Sequence, residues 1–226
     1  MKINYCLPII KNSKQDVLRT IEKYRNEYQY VEVWLDPIKN LDNDFIDRLT
    51  YMLQDKLILL FSRGNELQTS ITKEKKLKIL DLLDDCESFL DLDLSDKEEL
   101  AYLKRKKLKV KIIISYHNYQ ETPPEDVLKG TLNKMAKYNP TIYKIATLCM
   151  SENDTLRLLQ LQLSLRKQKT RHIVLGMGEF GKITRVFGTV WGNEMIYAPI
   201  TKQDVSAPGQ LTKQELEKIF SMLRTN

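Results

Sequence analysis

Ile142-Tyr143-Lys144-Ile145-Ala146 places one lysine inside an apolar run bounded by Pro140 and Ser151. A short apolar run between turn-forming residues reads as a buried β-strand. Lysine is almost never fully buried without a reason. Low dielectric disfavours the ammonium form, so a buried lysine tends to become a neutral, nucleophilic amine. Lys144 is therefore a candidate for Schiff-base formation. On this stretch alone the plainer reading is favoured, a lysine at a strand end whose ammonium snorkels to water. The rest of the chain reverses that preference.

Working outward, strands and helices alternate from end to end. The pattern predicts strands over residues 3–7, 30–35, 57–61, 88–94, 110–114, 142–147, 172–175 and 195–198. It predicts helices over 13–28, 42–54, 72–84, 95–107, 123–138, 151–167, 182–188 and 212–223. The helical cues are apolar residues at 3.6-residue spacing, such as Phe45, Ile46, Leu49 and Leu53. End signals add to them: Ser13 as an N-cap, Ser95-x-x-Glu98 as a capping box and Pro123 in a first turn. Leu57-Ile-Leu-Leu-Phe61 is apolar throughout, as a parallel strand covered on both faces should be. Eight β-α units in 226 residues, with no linker or break in composition, predict one domain over residues 1–226, an α/β protein built as a closed (β/α)8 TIM barrel. An open doubly wound sheet is the alternative.

The bulk properties exclude several classes. A charged content of 29% beside 42% hydrophobic residues is that of an ordinary globular chain. The formal net charge of +6 raises the question of nucleic acid, but the lysines are spread over helical faces. The densest run, Lys104-Arg-Lys-Lys107, ends a predicted helix, where cations complement the macrodipole. A small anionic substrate fits the charge equally well, and no nucleic acid or membrane partner is expected. Cys6, Cys86 and Cys149 are odd in number and lack metal-ligand or redox spacing, so neither a disulfide framework nor a zinc site is expected. The first residues show no signal-peptide pattern, and the expected location is the cytoplasm.

In such a barrel, chemistry sits at the C-terminal ends of the strands. Those ends offer Glu32, Trp34 and Asp36; then Ser62, Arg63 and Glu66; then Asp91 and Asp93, two apart and so on one face. They continue with Ser115-Tyr-His-Asn-Tyr119, Lys144, Arg185 and Ser206-Ala-Pro-Gly-Gln210. His117 is one of two histidines and lies at the end of an isoleucine-rich strand. An imidazole can take and return a proton near neutral pH, although a strand-end histidine is more often structural. Neighbouring strands would bring it to the mouth that holds Lys144, and an imine with a base beside it can remove a proton next to a ketone. His172 begins its strand at the opposite end and receives no catalytic role. Gly176-Met-Gly-Glu-Phe-Gly181 matches a dinucleotide fingerprint, but no acidic residue stands at the end of the next strand. These glycines are read as a tight loop. For Lys144 to be neutral near pH 7, burial and a nearby positive charge must lower its pKa. Arg185 is the candidate for that charge and a fork for a substrate carboxylate.

Taken together, these residues resemble the type I 3-dehydroquinate dehydratase family of the shikimate pathway. The likeness rests on Ile113-Ile-Ser-Tyr-His-Asn-Tyr119 with Thr122-Pro123, Tyr143-Lys-Ile-Ala146, Gly178-Glu-Phe-Gly-Lys-Ile-Thr-Arg185 and Ser206-Ala-Pro-Gly-Gln210, in the family's order. The resemblance implies a (β/α)8 barrel, usually a homodimer, that needs no cofactor or metal. It implies that Lys144 forms an imine with the C3 ketone of 3-dehydroquinate. His117 then removes a proton at C2 and returns one as the C1 hydroxyl leaves, giving 3-dehydroshikimate. Arg185 and Arg63 would bind substrate, as would Glu32, with Ser206 and Gln210 on a loop that closes over it. Two departures stand out. The family's Glu-x-Arg on strand two is Glu32-Val-Trp34 here, an indole with one N–H where a guanidinium has five. The glutamate that orients the histidine in the family has no in-register match; Glu66 could serve with a one-residue deletion. Asp91 and Asp93 fit the family's paired acids, Asp93 being one carbon shorter than usual. Another Schiff-base lyase or aldolase, or a non-catalytic homologue that binds a ligand, are the rival readings.

Overall fold

Eight strands and eight helices alternate along the chain in the computed structural model, which describes residues 3–62 and 71–223. The strands are β1 (Tyr5–Ile9), β2 (Tyr30–Trp34), β3 (Leu57–Leu60), β4 (Phe89–Asp93), β5 (Lys111–Asn118), β6 (Ile142–Leu148), β7 (His172–Met177) and β8 (Ile196–Tyr197). The helices are α1 (Lys14–Tyr24), α2 (Asn43–Leu53), α3 (Lys73–Leu82), α4 (Lys97–Lys106), α5 (Glu125–Ala136), α6 (Glu152–Lys167), α7 (Gly178–Trp191) and α8 (Lys213–Leu223). All pairings are parallel, in the order β7-β6-β5-β4-β3-β2-β1-β8.

The two ends of that order meet at a seam made largely by one side chain. Asn193 Nδ2 donates to the Val174 carbonyl at 2.9 Å, and its Oδ1 accepts from the Val174 N–H at 2.8 Å. The Glu194 N–H donates to the His172 carbonyl at 2.8 Å. An amide side chain carries one donor and one acceptor, as a backbone unit does, so Asn193 satisfies the edge of β7 where β8 is too short to reach. Side chains alternate across the sheet. Outward residues such as Leu7, Val31, Leu59 and Ile114 pack beneath the helices. Inward residues such as Cys6, Ile58, Phe89, Ile113, Ile142 and Ile173 fill the barrel interior.

Local chemistry explains most boundaries. Ser13, Asp42, Thr72 and Ser151 each accept a backbone N–H from the first turn of the helix that follows. Elsewhere the structure corrects the sequence reading. The capping box at Ser95 does not form: Ser95 Oγ donates to Asp93 at 2.7 Å, and Asp96 takes the N-cap position without a side-chain cap. Both Pro123 and Pro124 precede α5. β1 lies two residues later than predicted and contains Pro8. Cys6 turns its carbonyl toward Ala198, so Pro8 turns its missing N–H to the same side, past the end of β8.

α7 is twice the predicted length: it begins at Gly178, which has a φ of +77°, runs through Gly181 and continues to Trp191. A Cβ on Gly181 would stand 2.3 Å from the Gly176 carbonyl carbon. The glycines that looked like a loop therefore allow β7 and α7 to touch backbone to backbone. β5 runs on to Asn118, which puts His117 in the sheet.

Removing the seam side chain, Asn193→Ala, strips partners from both backbone groups of Val174. Denaturant titration should show a loss of about 2–4 kcal/mol, two buried groups at about 1–3 each with partial rescue by water.

Candidate active site

At the C-terminal mouth, inward positions change from apolar to polar. On β4 the inward row is Phe89, Asp91, Asp93; on β5 it is Ile113, Ser115, His117; on β6 it is Ile142, Lys144, Ala146. Register sets Ser115 beside Lys144 and His117 beside Ala146, so the lysine and histidine occupy successive levels of adjacent strands. With Glu32, Trp34, Tyr119, Tyr197, Arg185, Ser206 and Gln210 they line one cavity. Of the sequence-based candidates, Glu32, Trp34, His117, Lys144, Arg185, Ser206 and Gln210 are thereby brought together, whereas Asp36 and Ser62 are not among the lining residues and bond to each other, the Ser62 N–H donating to Asp36 Oδ2 at 2.5 Å. Arg63 and Glu66 lie outside the described residues.

Lys144 is only 5% exposed. Its Nζ donates to Asp91 Oδ2 at 2.7 Å and lies 3.7 Å from Glu32 Oε2. The Tyr197 ring centroid is 4.7 Å away. Among the described residues, the carboxylates within ion-pair distance of this nitrogen are those of Asp91 and Glu32, while Arg185 lines the same cavity. Asp91 is fixed in turn by Ser115 Oγ, which donates to Oδ1 at 2.6 Å. Trp34 points into the cavity and donates its Nε1–H to Glu32 Oε1 at 3.0 Å. Its one polar hydrogen is thus spent within the protein. Glu32 Oε2 is buried with no hydrogen-bond partner among the described residues.

His117 Nδ1 lies 3.0 Å from Asp93 Oδ2, and Tyr119 stacks on the imidazole with ring planes 19° apart. Burial works against charge on Asp93. Hydrogen bonds from His117 and from the Ser95 N–H outweigh it and hold this carboxyl below the usual range. An ionised Asp93 can only accept, so Nδ1 carries the proton and Nε2 is the basic nitrogen of the neutral ring. Asp93 was visible in the sequence as a period-2 acid in an apolar strand. The role of holding the histidine had been sought at Glu66. Tyr197 was not singled out, and nothing in its strand distinguished it.

Arg185 is 2% exposed and burial pulls its pKa down to about 10, so it remains cationic at neutral pH. Nη2 donates to the Pro208 carbonyl at 3.2 Å, while the buried Nε–H has no partner among the described residues. Pro208 belongs to the segment that Ser206 and Gln210 pin together: Gln210 Oε1 accepts from the Ser206 N–H at 2.9 Å and Nε2 donates to Ser206 Oγ at 2.8 Å. Gly209 adopts a φ of +82°, and a Cβ there would lie 2.6 Å from the Gly178 carbonyl oxygen. The segment is folded against the start of α7.

Residues 5–226 match the family model for type I 3-dehydroquinase. The chain belongs to that family. It is 31% identical over 225 residues to the 3-dehydroquinate dehydratase of Hydrogenobaculum sp. (strain Y04AAS1), covering 98% of each chain. It is 28% identical to that of Methanocaldococcus jannaschii, over 96% of this chain and 98% of the relative. The crystal structure of 3-dehydroquinate dehydratase from Geobacillus kaustophilus HTA426 superposes with a TM-score of 0.83 at 22% identity, covering 99% of this chain and 91% of that one. That likeness is one of fold, and it places the sheet described above among type I 3-dehydroquinase TIM barrels. No helix among the described residues is long and apolar enough to cross a membrane.

Behind this type I 3-dehydroquinase site stands a second carboxyl. Asp96 Oδ2 accepts the Asp93 N–H at 2.8 Å. Burial, only partly offset by that bond, raises its pKa to about 6, with the negative charges of Glu99 and Asp93 adding to the rise. A carboxyl with a raised folded-state pKa contributes stability that is complete below its unfolded pKa and lost as pH climbs to the folded one. The window here is from about 4 to about 6. Asp96→Asn should therefore stabilise the protein at pH 8, by about 1–2 kcal/mol after screening of a half-buried group, and change little at pH 4. Urea titrations at the two pH values measure the difference.

Proposed function

We propose that this hydro-lyase converts 3-dehydroquinate to 3-dehydroshikimate and water through an imine on Lys144, with His117 as the proton carrier. One observation carries the reading. An amine and an imidazole stand at successive levels of β6 and β5 in one cavity, each held by its own carboxylate from β4.

In the first stage the Lys144 ammonium gives a proton to Asp91, whose Oδ2 is within 2.7 Å. The amine adds to the C3 ketone, Asp91 returns the proton as the carbinolamine loses water, and a protonated imine forms. His117 Nε2 then takes a proton from C2. The C–H electron pair becomes the C2=C3 bond, and the imine pair moves onto nitrogen to give an enamine. The enamine pushes the electrons back, the C1–O bond breaks, and His117 returns its proton to the leaving hydroxyl. Hydrolysis of the conjugated imine consumes the water released at the start and frees the amine, so one water is gained overall. No metal or cofactor enters this sequence.

Arg185 supplies the cation for the substrate carboxylate, its buried Nε–H being a donor in need of an acceptor. Glu32 Oε2 is an acceptor in need of a donor, such as a ring hydroxyl. Ser206, Ala207 and Gln210 line the cavity, and closure of their segment over bound substrate would exclude water. Arg63 belongs to the same substrate-binding set. Asp93 positions His117 through Nδ1, and Glu66 belongs to the same histidine-positioning set. The site lies within a single domain of a cytoplasmic homodimer that engages no nucleic acid. A second reading, a Schiff-base lyase for another keto acid, is favoured by Trp34, which presents a ring rather than a charge to the cavity. Turnover of another keto acid with none of 3-dehydroquinate would select it.

Borohydride added with 3-dehydroquinate should leave a reduced adduct on Lys144, located by peptide mass spectrometry, while enone absorbance grows in the untreated reaction. Neither signal appearing would sink the covalent route. Asp93→Asn permits the wrong imidazole tautomer. It should lower kcat by about 10²-fold or more with little change in KM, and adduct should still be trapped. Unchanged kcat would remove Asp93 from the mechanism.

A further inference from the structure

We propose that the ring face of Tyr197 is itself part of the catalytic apparatus, stabilising the cationic nitrogen of the Lys144 imine. This rests on the Schiff-base reading above and adds a group which that reading does not require. Tyr197 belongs to the two-residue strand β8, pairs in register with Cys6 of β1, and is packed in the barrel interior at 4% exposure. Lys144 Nζ stands over the ring, 4.7 Å from its centroid. An aromatic face attracts a cation within about 6 Å, most strongly where water is excluded.

Asp91 approaches the same nitrogen at 2.7 Å, but it has two incompatible uses. When it accepts the lysine proton it becomes neutral and no longer offers a counter-charge. A π face cannot be protonated. It favours the cationic form of the imine without competing for the proton. That form is the one that matters, because the imine draws electrons from C2 only while its nitrogen is protonated. The ring therefore adds to the protonated fraction beside the Asp91 carboxylate, which, unlike the ring, can also draw that proton away.

The test separates electronics from packing. Tyr197→Phe serves as the reference, and position 197 is then filled with mono-, di- and trifluorophenylalanine. Each fluorine withdraws density from the face while the ring keeps nearly the same volume. Borohydride-trapped adduct on Lys144 and kcat/KM should both fall stepwise, by about 3- to 30-fold from Phe to the trifluoro ring, with the thermal midpoint unmoved. Tyr197→Leu should fall at least as far. A flat series in which every variant traps adduct equally would overturn the role of the face and leave the Schiff base standing. Adduct in the unaltered protein but none in Tyr197→Phe would assign the hydroxyl instead, and also overturns it. No adduct in any protein removes the reading beneath it.

Discussion

A lysine ammonium buried between two carboxylates is the interaction around which the rest of this barrel is arranged. Taking such charges out of water costs several kcal/mol each, and mutual attraction offsets that only with good geometry and further hydrogen bonds. The geometry comes from three separate strands: Lys144 on β6, Asp91 on β4 and Glu32 on β2. Each carboxylate is braced by a neighbour, Asp91 by Ser115 and Glu32 by Trp34. No local segment could hold that set. It exists because a parallel sheet closes on itself and because alternate residues on each strand turn inward. The Asn193 seam at Val174 is thus a condition for the site, since it completes the ring that sets the distances.

The same alternation explains why stability and chemistry occupy one strand without interfering. β5 runs Ile112, Ile114 outward and Ile113, Ser115, His117 inward, and β4 does likewise with Leu90, Leu92 against Phe89, Asp91, Asp93. Outward isoleucines and leucines, each worth about 1.5–3 kcal/mol when fully buried, anchor the strand beneath its helices. Inward apolar residues fill only the lower interior, leaving the upper positions to charge. A strand secured on one face can carry costly polar groups on the other.

Much of this was readable from the chain, because period-2 and period-3.6 patterns are direct records of which face is covered. Eight alternating units gave the barrel, and Lys144 and His117 stood out as polar residues at strand ends. What was misread has physical causes. The glycines of residues 176–181 punctuate the sequence like a loop, yet Gly176 and Gly181 are there to let backbones meet. Ser95 and Glu98 carry the letters of a capping box, but the Ser95 hydroxyl is drawn to Asp93, whose carboxylate is the stronger acceptor. The carboxylates of Asp91 and Glu32 beside Lys144 come from other strands, a through-space fact that no spacing records. Tyr197 is likewise invisible in one dimension, since its partner lies across the barrel.

The two acids of β4 take on a further meaning once the proposed cycle is followed charge by charge. Positive charge first resides on the Lys144 nitrogen, beside Asp91. When the C2 proton moves, the nitrogen becomes a neutral enamine and the charge appears on the His117 ring, beside Asp93. When the hydroxyl leaves, it returns. The charge thus shuttles between two positions already lined by a carboxylate, two residues apart on one rigid strand, so neither end has to recruit a counter-ion during the step. Fixed groups that wait for a charge stabilise it without reorganising, which is the source of their advantage over water. Hydrogen bonds from His117 and Ser95 keep Asp93 ionised for that purpose against its own burial. The spacing of a single β-strand repeat therefore sets the distance over which this site moves charge.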